Sequence, residues 1–150
     1  MTMNQRIADD IKAAMKNGEK LKLETLRMVR AQFIEFAKRG ADKPVTPDEE
    51  LAIVLGAIKK RKEAIDLYQQ AGRKELVDQE SRELEILQAY LPKQLERGEA
   101  QMIIQRIISA AGASSQKDFG KVMGMAMKEL KGKLDGAIVQ ELVKQNLGAQ

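Results

Sequence analysis

The sequence contains no cysteine, no histidine and no tryptophan among its 150 residues. Without cysteine there is no disulfide framework, no thiolate nucleophile and no cysteine-ligated zinc. Without histidine the chain also lacks the most common general base, the most common metal ligand and every Ser-His or Cys-His arrangement. Carboxylates, lysines, tyrosines and hydroxyls are the catalytic groups that remain. We therefore expect no cofactor and no metal.

Long apolar runs are also missing. Residues 1–10, MTMNQRIADD, lack the apolar core of a secretory signal peptide. No later stretch approaches the roughly 18 uncharged apolar residues that a membrane-spanning helix needs. The sequence predicts no membrane partner and a cytoplasmic location.

The composition favours a globular helical protein, with hydrophobic residues at 43%, charged residues at 32% and only 3 prolines. Apolar residues recur at helical spacing in seven segments, and capping residues such as Thr2, Thr46 and Asp135 precede three of them. Met15, Phe33 and Phe36 or Ala37 are expected to point inward. The segments cover roughly residues 3–17, 19–39, 47–70, 73–90, 98–111, 116–130 and 136–147.

A break at Pro92 separates four longer helices from three shorter ones. This break predicts an N-terminal helical domain, 1–92, and a C-terminal three-helix domain, 93–150. The fold class expected from the pattern is all-α, and no segment has the alternation of a strand.

The helix predicted over residues 116–131 combines two stripes on opposite sides. Phe119, Met123, Ala126 and Leu130 form an apolar stripe, which we expect to be buried. The opposite stripe, here called the lysine–glycine face, contains lysines and two glycines, although a glycine inside a helix costs about 1 kcal/mol relative to alanine. Its members are Lys117, Gly120, Lys121, Gly124, Lys128 and Lys131.

Two interpretations of the lysine–glycine face are about equally supported by the pattern. A bare backbone flanked by ammonium groups allows close approach of a nucleic-acid backbone. Alternatively, the glycines mark close packing against another helix, and the lysines are a solvated surface. Met125 lies outside the apolar stripe and is a candidate for protein contact, since methionine side chains adapt to varied surfaces.

The small number of aromatic residues indicates which type of nucleic acid the chain would bind. Single-strand binders stack bases on aromatic side chains, whereas this chain has 3 Phe and 2 Tyr, most of which are expected to pack internally. A folded RNA recognised by shape and phosphate fits better. The KKRK run is a candidate for a secondary basic patch, although such a run is more often a solvated helix face. It consists of Lys59, Lys60, Arg61 and Lys62.

No pair of carboxylates has the spacing of a catalytic pair. Asp9 and Asp10, Glu49 and Glu50, and Glu83 and Glu85 are adjacent or two apart, so each pair points to different sides of a helix. The Gly-Lys dipeptide of the lysine–glycine face follows no predicted strand and lacks the P-loop pattern. We expect no enzymatic activity.

Several motifs resemble those of the GatB/YqeY family. The combined KxxGKVMG and KGKxDG pattern within residues 114–147 is the most specific, and ETLRMVRA (24–31), AGRKEL (71–76) and LEILQAYLPKQL (84–95) agree with the free-standing YqeY-like proteins. The resemblance implies an all-α fold and an RNA-facing surface, with a departure at Leu134 in the KGKxDG turn. The RNA-facing positions would be Lys117, Gly120, Lys121, Gly124, Lys128, Lys131, Gly132 and Lys133.

The family's C-terminal part is similar to the tail of the GatB subunit of the tRNA-dependent amidotransferase, where it contacts tRNA. The sequence and this resemblance together predict a non-catalytic, tRNA-associated module of translation that assists an amidotransferase or an aminoacyl-tRNA synthetase. The alternative is a protein-interaction adaptor that uses the glycines and apolar helix faces.

Overall fold

The computed structural model describes residues 1–40 and 43–148, and this part of the chain forms seven α-helices and no strand. The all-α prediction is confirmed. A 3₁₀ turn, Gln116–Asp118, precedes the sixth helix. The helices are α1 (Met3–Asn17), α2 (Lys20–Arg39), α3 (Pro47–Gln70), α4 (Lys74–Gln88), α5 (Arg97–Ala111), α6 (Phe119–Leu130) and α7 (Gly136–Asn146).

The helix ends follow from local capping. Thr2 and Thr46 each accept a hydrogen bond from the third residue of the following helix, in capping boxes completed by Gln5 and Glu49. Gly18 ends α1 in the left-handed conformation at φ 70°, which glycine adopts without steric cost. These interactions are short-range, which is why the sequence places the helix ends well.

The chain divides into two compact units, with the boundary between Leu91 and Pro92. In the first unit α1 to α4 enclose a core, and α3 packs along α4. In the second unit α5, α6 and α7 each contact the other two. Whether the segments 1–92 and 93–150 fold as independent domains stays a prediction. The first core consists mainly of Ile7, Ile11, Leu26, Val29, Phe33, Val54, Ile58 and Leu87.

One inward assignment in the first unit is wrong, and the structure decides one alternative. The buried stripe of α1 ends at Ala14, and Met15, about 100° further around the helix, is 56% exposed. On α2 the choice between Phe36 and Ala37 falls to Ala37, which is half-buried, whereas Phe36 is 36% exposed and borders a surface groove between α2 and α3. Met15 and Phe36 lie at the edge of an apolar face, where only the neighbouring helices decide burial.

The buried side of α6 is rotated from the expected stripe. Val122, Ala126 and Leu130 are fully buried, whereas Phe119 and Met123 are half-buried. The cause is packing on two sides, because both α5 and α7 contact α6. Met125, expected to be available for protein contact, also packs against this core.

Candidate nucleic-acid interface

The lysine–glycine face lies on the solvent side of α6. Burial of Val122 and Ala126 turns the opposite side of the helix outward, and Lys117 extends this surface from the 3₁₀ turn. The structure therefore brings five of the predicted residues to one exposed surface. They are Lys117, Gly120, Lys121, Gly124 and Lys128.

Both glycines of this face are open to solvent. A Cβ atom built on Gly120 or Gly124 would meet no heavy atom within 4 Å. Packing among residues 1–40 and 43–148 therefore does not require either glycine. Gly124 lies inside α6, where glycine nevertheless costs about 1 kcal/mol relative to alanine, so no contact among the described residues explains the bare backbone there.

The charge of the face is not neutralised within the chain. Neither the four lysines of this face nor Lys133 in the following loop makes a side-chain hydrogen bond or ion pair with any residue in ranges 1–40 and 43–148. The two acids in the same stretch of sequence are already engaged, since Glu129 accepts from Arg106 at 2.7 Å and Asp118 accepts from the Ser114 backbone N–H at 3.1 Å. The positive potential therefore faces outward, from Lys117, Lys121, Lys128, Lys131 and Lys133.

Gly132 does not belong to the exposed face, which corrects its RNA-facing assignment. It is buried, and its φ of 79° lies in the left-handed region that favours glycine. Its carbonyl oxygen accepts a hydrogen bond from Gln94 Nε2 at 2.6 Å. The backbone N–H of Leu95 also donates to the Lys133 carbonyl at 2.9 Å. Gly132 therefore shapes the loop that carries Lys131 and Lys133.

Sequence reasoning missed Gln94 and Lys144. Gln94 lies 38 residues from the glycine that it supports, so no local pattern connects them. The ammonium group of Lys144, on α7, lies 5.7 Å from the ring centroid of Phe119. Lys144 adds a cation near the start of α6 that only the packing of α7 reveals.

The KKRK run on α3 is split by the fold. Lys59, Lys60 and Lys62 are exposed, but Arg61 is buried and donates from Nη1 to the Ala57 carbonyl at 3.0 Å. Arg61 is therefore wrongly assigned to the secondary basic patch. It lies one helical turn after a core alanine, so its position on α3 points it inward.

Arg61 meets a carboxylate inside the first unit. Its Nε lies 3.8 Å from Oε2 of Glu83 and has no hydrogen-bond partner among the residues that the structure describes. Burial raises the pKa of Glu83 above its ordinary value, and Glu80 raises it further through repulsion and a hydrogen bond, while Arg61 opposes the shift. The pair is a buried structural contact between α3 and α4.

Tyr90 forms a second buried polar contact. Its hydroxyl donates to a carboxylate oxygen of Asp10, and the guanidinium of Arg6 lies 5.0 Å from its ring centroid. Burial and then the Asp10 carboxylate raise the pKa of Tyr90 above its ordinary value.

In the part of the chain that the structure describes, no group of three or more acidic side chains could hold a metal ion. No helix there is long and apolar enough to cross a membrane.

The comparison with protein families decides the affiliation. The family model described as "Yqey-like protein" matches residues 4–147. The chain belongs to the YqeY-like family. This YqeY-like protein is 29% identical over 150 residues to "Altered inheritance of mitochondria protein 41, mitochondrial" of Pyrenophora tritici-repentis, a match covering 97% of this chain and 81% of the relative.

A second relative is an uncharacterized protein of Schizosaccharomyces pombe. It is 36% identical over 81 residues, which cover 53% of the YqeY-like protein and 64% of the relative. Neither relative's name, nor the family description, refers to a catalysed reaction.

The cytoplasmic location expected from the sequence is wrong, because the Pyrenophora relative is named as mitochondrial. The expectation rested on the missing apolar core of a secretory signal. Mitochondrial transit peptides are amphipathic and rich in arginine and serine, so the absence of an apolar N-terminal run does not bear on mitochondrial import.

Proposed function

We propose that this YqeY-like protein is a non-catalytic module that binds folded RNA, and tRNA in particular, through the lysine–glycine face of α6. One observation carries the proposal. Unpaired lysines flank two glycines that internal packing does not need. The phosphates of a nucleic-acid backbone are negatively charged, and the bare glycines would let that backbone come close to the lysines.

The location of the aromatic side chains favours a folded RNA over a single strand. Phe33 and Tyr90 are buried, and Phe119 and Tyr68 are half-buried. Phe36, the most exposed of the five, lies in the other unit from α6. Because single-strand binding relies on exposed aromatic rings for stacking, recognition through phosphates and shape is the better match.

The role in translation rests on the family resemblance. In the GatB subunit a similar C-terminal part contacts tRNA, so a free-standing module with the same face would assist an amidotransferase or an aminoacyl-tRNA synthetase that acts on the same tRNA. The proposal assigns no chemical step to this chain.

Binding to bulk tRNA and to a duplex DNA of matched charge, each across a salt series, tests the proposal. Tighter binding to tRNA is expected, with the logarithm of the affinity falling by about 0.7–0.9 per phosphate contact for each tenfold rise in salt. A protein that binds neither at low salt, or both equally, would contradict it.

An adaptor function draws on the same open glycines, because a partner helix could also pack closely on Gly120 and Gly124. Gly124→Leu separates the two functions. It would abolish binding of a partner helix at high salt as well as low salt, whereas tRNA binding is already weak at high salt. Retained tRNA binding in Gly124→Leu would show that the RNA does not approach the glycines.

A further inference from the structure

The longest helix, α3, exposes one continuous face along most of its length. Successive members of this α3 stripe are three or four residues apart and fall within about 80° of arc at 100° per residue. All of them are exposed, while Val54 and Ile58 on the opposite side are buried. The stripe consists of Ala52, Gly56, Lys60, Glu63, Leu67 and Gln70.

Two members of the stripe are unexplained by the fold of a single chain. Leu67 is a large apolar residue that is 64% exposed. Gly56 lies inside a 24-residue helix, where glycine is unfavourable, yet a Cβ atom there would meet nothing within 4 Å. Leu67 thus protrudes into solvent, and Gly56 leaves open space beside the helix.

Gly56 also lies in a groove of about 350 Å³ between α2 and α3. Phe36 and Ile53 provide apolar walls, and polar side chains complete the lining: Gln32, Glu35, Arg39 and Lys60. The groove is therefore suited to an aliphatic side chain that arrives next to Lys60.

Lys60 and Glu63 have opposite charges and are three residues apart on the stripe. Neither side chain has a hydrogen bond or ion pair with the residues that the structure describes. A complementary surface would need a negative group facing Lys60 and a positive group facing Glu63.

The stripe is complementary to itself. The point midway between Lys60 and Glu63 is also midway between Gly56 and Leu67. When two α3 helices run antiparallel about a two-fold axis at this point, Leu67 of each copy faces Gly56 of the other. In the same register Lys60 of each copy faces Glu63 of the other. One alignment thus satisfies the exposed leucine, the open glycine and both unpaired charges.

We propose that the protein forms a two-fold dimer through antiparallel packing of α3 on α3, with Leu67 of each copy entering the Gly56 groove of the other. The interface is isologous and closes on itself, as in most homodimers. Glycine at the crossing allows the close helix approach that a larger side chain would prevent. The paired stripe from Ala52 to Gln70 extends over about 27 Å of helix.

Analytical ultracentrifugation over a concentration series measures the dissociation constant directly. The wild-type protein is expected to dimerise reversibly, and Leu67→Glu and Gly56→Leu are each expected to raise the dissociation constant roughly tenfold or more. Met102→Glu, which changes another highly exposed apolar side chain, on α5, serves as the matched control and should leave the dissociation constant unchanged. Circular dichroism checks that each variant remains folded.

Charge exchange tests the register. Lys60→Glu alone and Glu63→Lys alone each place like charges opposite one another and should weaken self-association. Because the two variants complement each other at both contacts, an equimolar mixture should form heterodimers, and the double variant should dimerise like wild type. A wild-type protein that is monomeric at every concentration would overturn the proposal. A dimer that tolerates Leu67→Glu, or variants that fail to complement each other, would overturn it equally.

Discussion

The side-chain amide of Gln94 donates a hydrogen bond to the carbonyl oxygen of Gly132 at 2.6 Å. This bond joins the segment that leads into α5 to the loop that follows α6, and the bond from Leu95 to the Lys133 carbonyl lies beside it. Gly132 is buried with a φ of 79°. The loop lysines Lys131 and Lys133 are therefore held by a backbone that only glycine fits without strain.

Replacing Gly132 by alanine should destabilise the protein by about 1–2 kcal/mol, because alanine is strained at positive φ. Gly120→Ala is the matched control, since Gly120 lies in α6 with nothing within 4 Å of a Cβ. This control should be neutral or stabilising by up to about 1 kcal/mol. Urea unfolding measures both. Equal effects of the two substitutions would contradict the role assigned to Gly132.

Removing two lysines from the face should weaken tRNA binding. The double variant Lys121→Ala, Lys128→Ala loses two phosphate contacts, so its log–log salt slope should become shallower by about 1.4–1.8. Fluorescence-based tRNA titrations across a salt series measure the slope.

The control for this pair is Lys12→Ala, Lys16→Ala, which removes the same charge from exposed positions on α1. The log–log salt slope of the control should stay within about 0.4 of the wild-type slope, which corresponds to half a phosphate contact. If both double variants lose affinity alike, net charge and not the α6 surface governs binding.

Arg61 and Lys59 belong to the same basic run but should differ in their effect on stability. Arg61→Ala removes the bond to the Ala57 carbonyl and leaves the Glu83 carboxylate desolvated without its cation, which should cost about 2–4 kcal/mol. Lys59→Ala changes an exposed side chain and should stay within about 0.5 kcal/mol of wild type. Denaturant midpoints and slopes measure both, and similar values would contradict the burial of Arg61.

Glu83 should make the protein relatively more stable as the pH falls. Burial and the neighbouring Glu80 raise the pKa of Glu83 in the folded state above the ordinary value of 4.5. The folded protein therefore keeps the carboxyl proton of Glu83 at a pH where the unfolded chain has lost it. The resulting contribution to the free energy of unfolding is full below pH 4.5 and is lost as the pH rises through the folded-state pKa.

The measurement compares the free energies of unfolding of wild type and Glu83→Gln from neutral pH down to about 4.5. The difference should shift in favour of wild type as the pH falls, since the glutamine cannot take up a proton. A difference that is constant, or that moves the other way, would show that Glu83 is not desolvated.

Tyr90→Phe should lower the free energy of unfolding by about 1–2 kcal/mol, because it leaves the Asp10 carboxylate without its hydroxyl donor. The raised pKa of Tyr90 means that this contribution is fully present below pH 10.0, the ordinary value, and is lost only at higher pH. Tyr68→Phe, which removes a hydroxyl that makes no hydrogen bond to the described residues, is the control and should be close to neutral. Chemical unfolding at neutral pH and at pH 9 checks both.

The helices were predictable because their determinants are local. Thr2, Thr46 and Gly18 act within one turn of the helix ends they define. Burial was less predictable, as Phe36 and Met123 show, because each lies at the edge of an apolar stripe. Neighbouring helices select which edge is covered.

The sequence by itself determined the all-α class, the helix ends and the spacing that places the lysines and glycines on one side of α6, since these depend on backbone sterics and helical periodicity. Only the tertiary structure decided that Arg61 and Gly132 are buried, that Gln94 holds the lysine loop, and that no side chain of the described residues covers Gly56 or Gly124. These features depend on contacts between residues far apart in the chain. Such contacts form only when the helices pack together, so a local sequence pattern cannot reveal them.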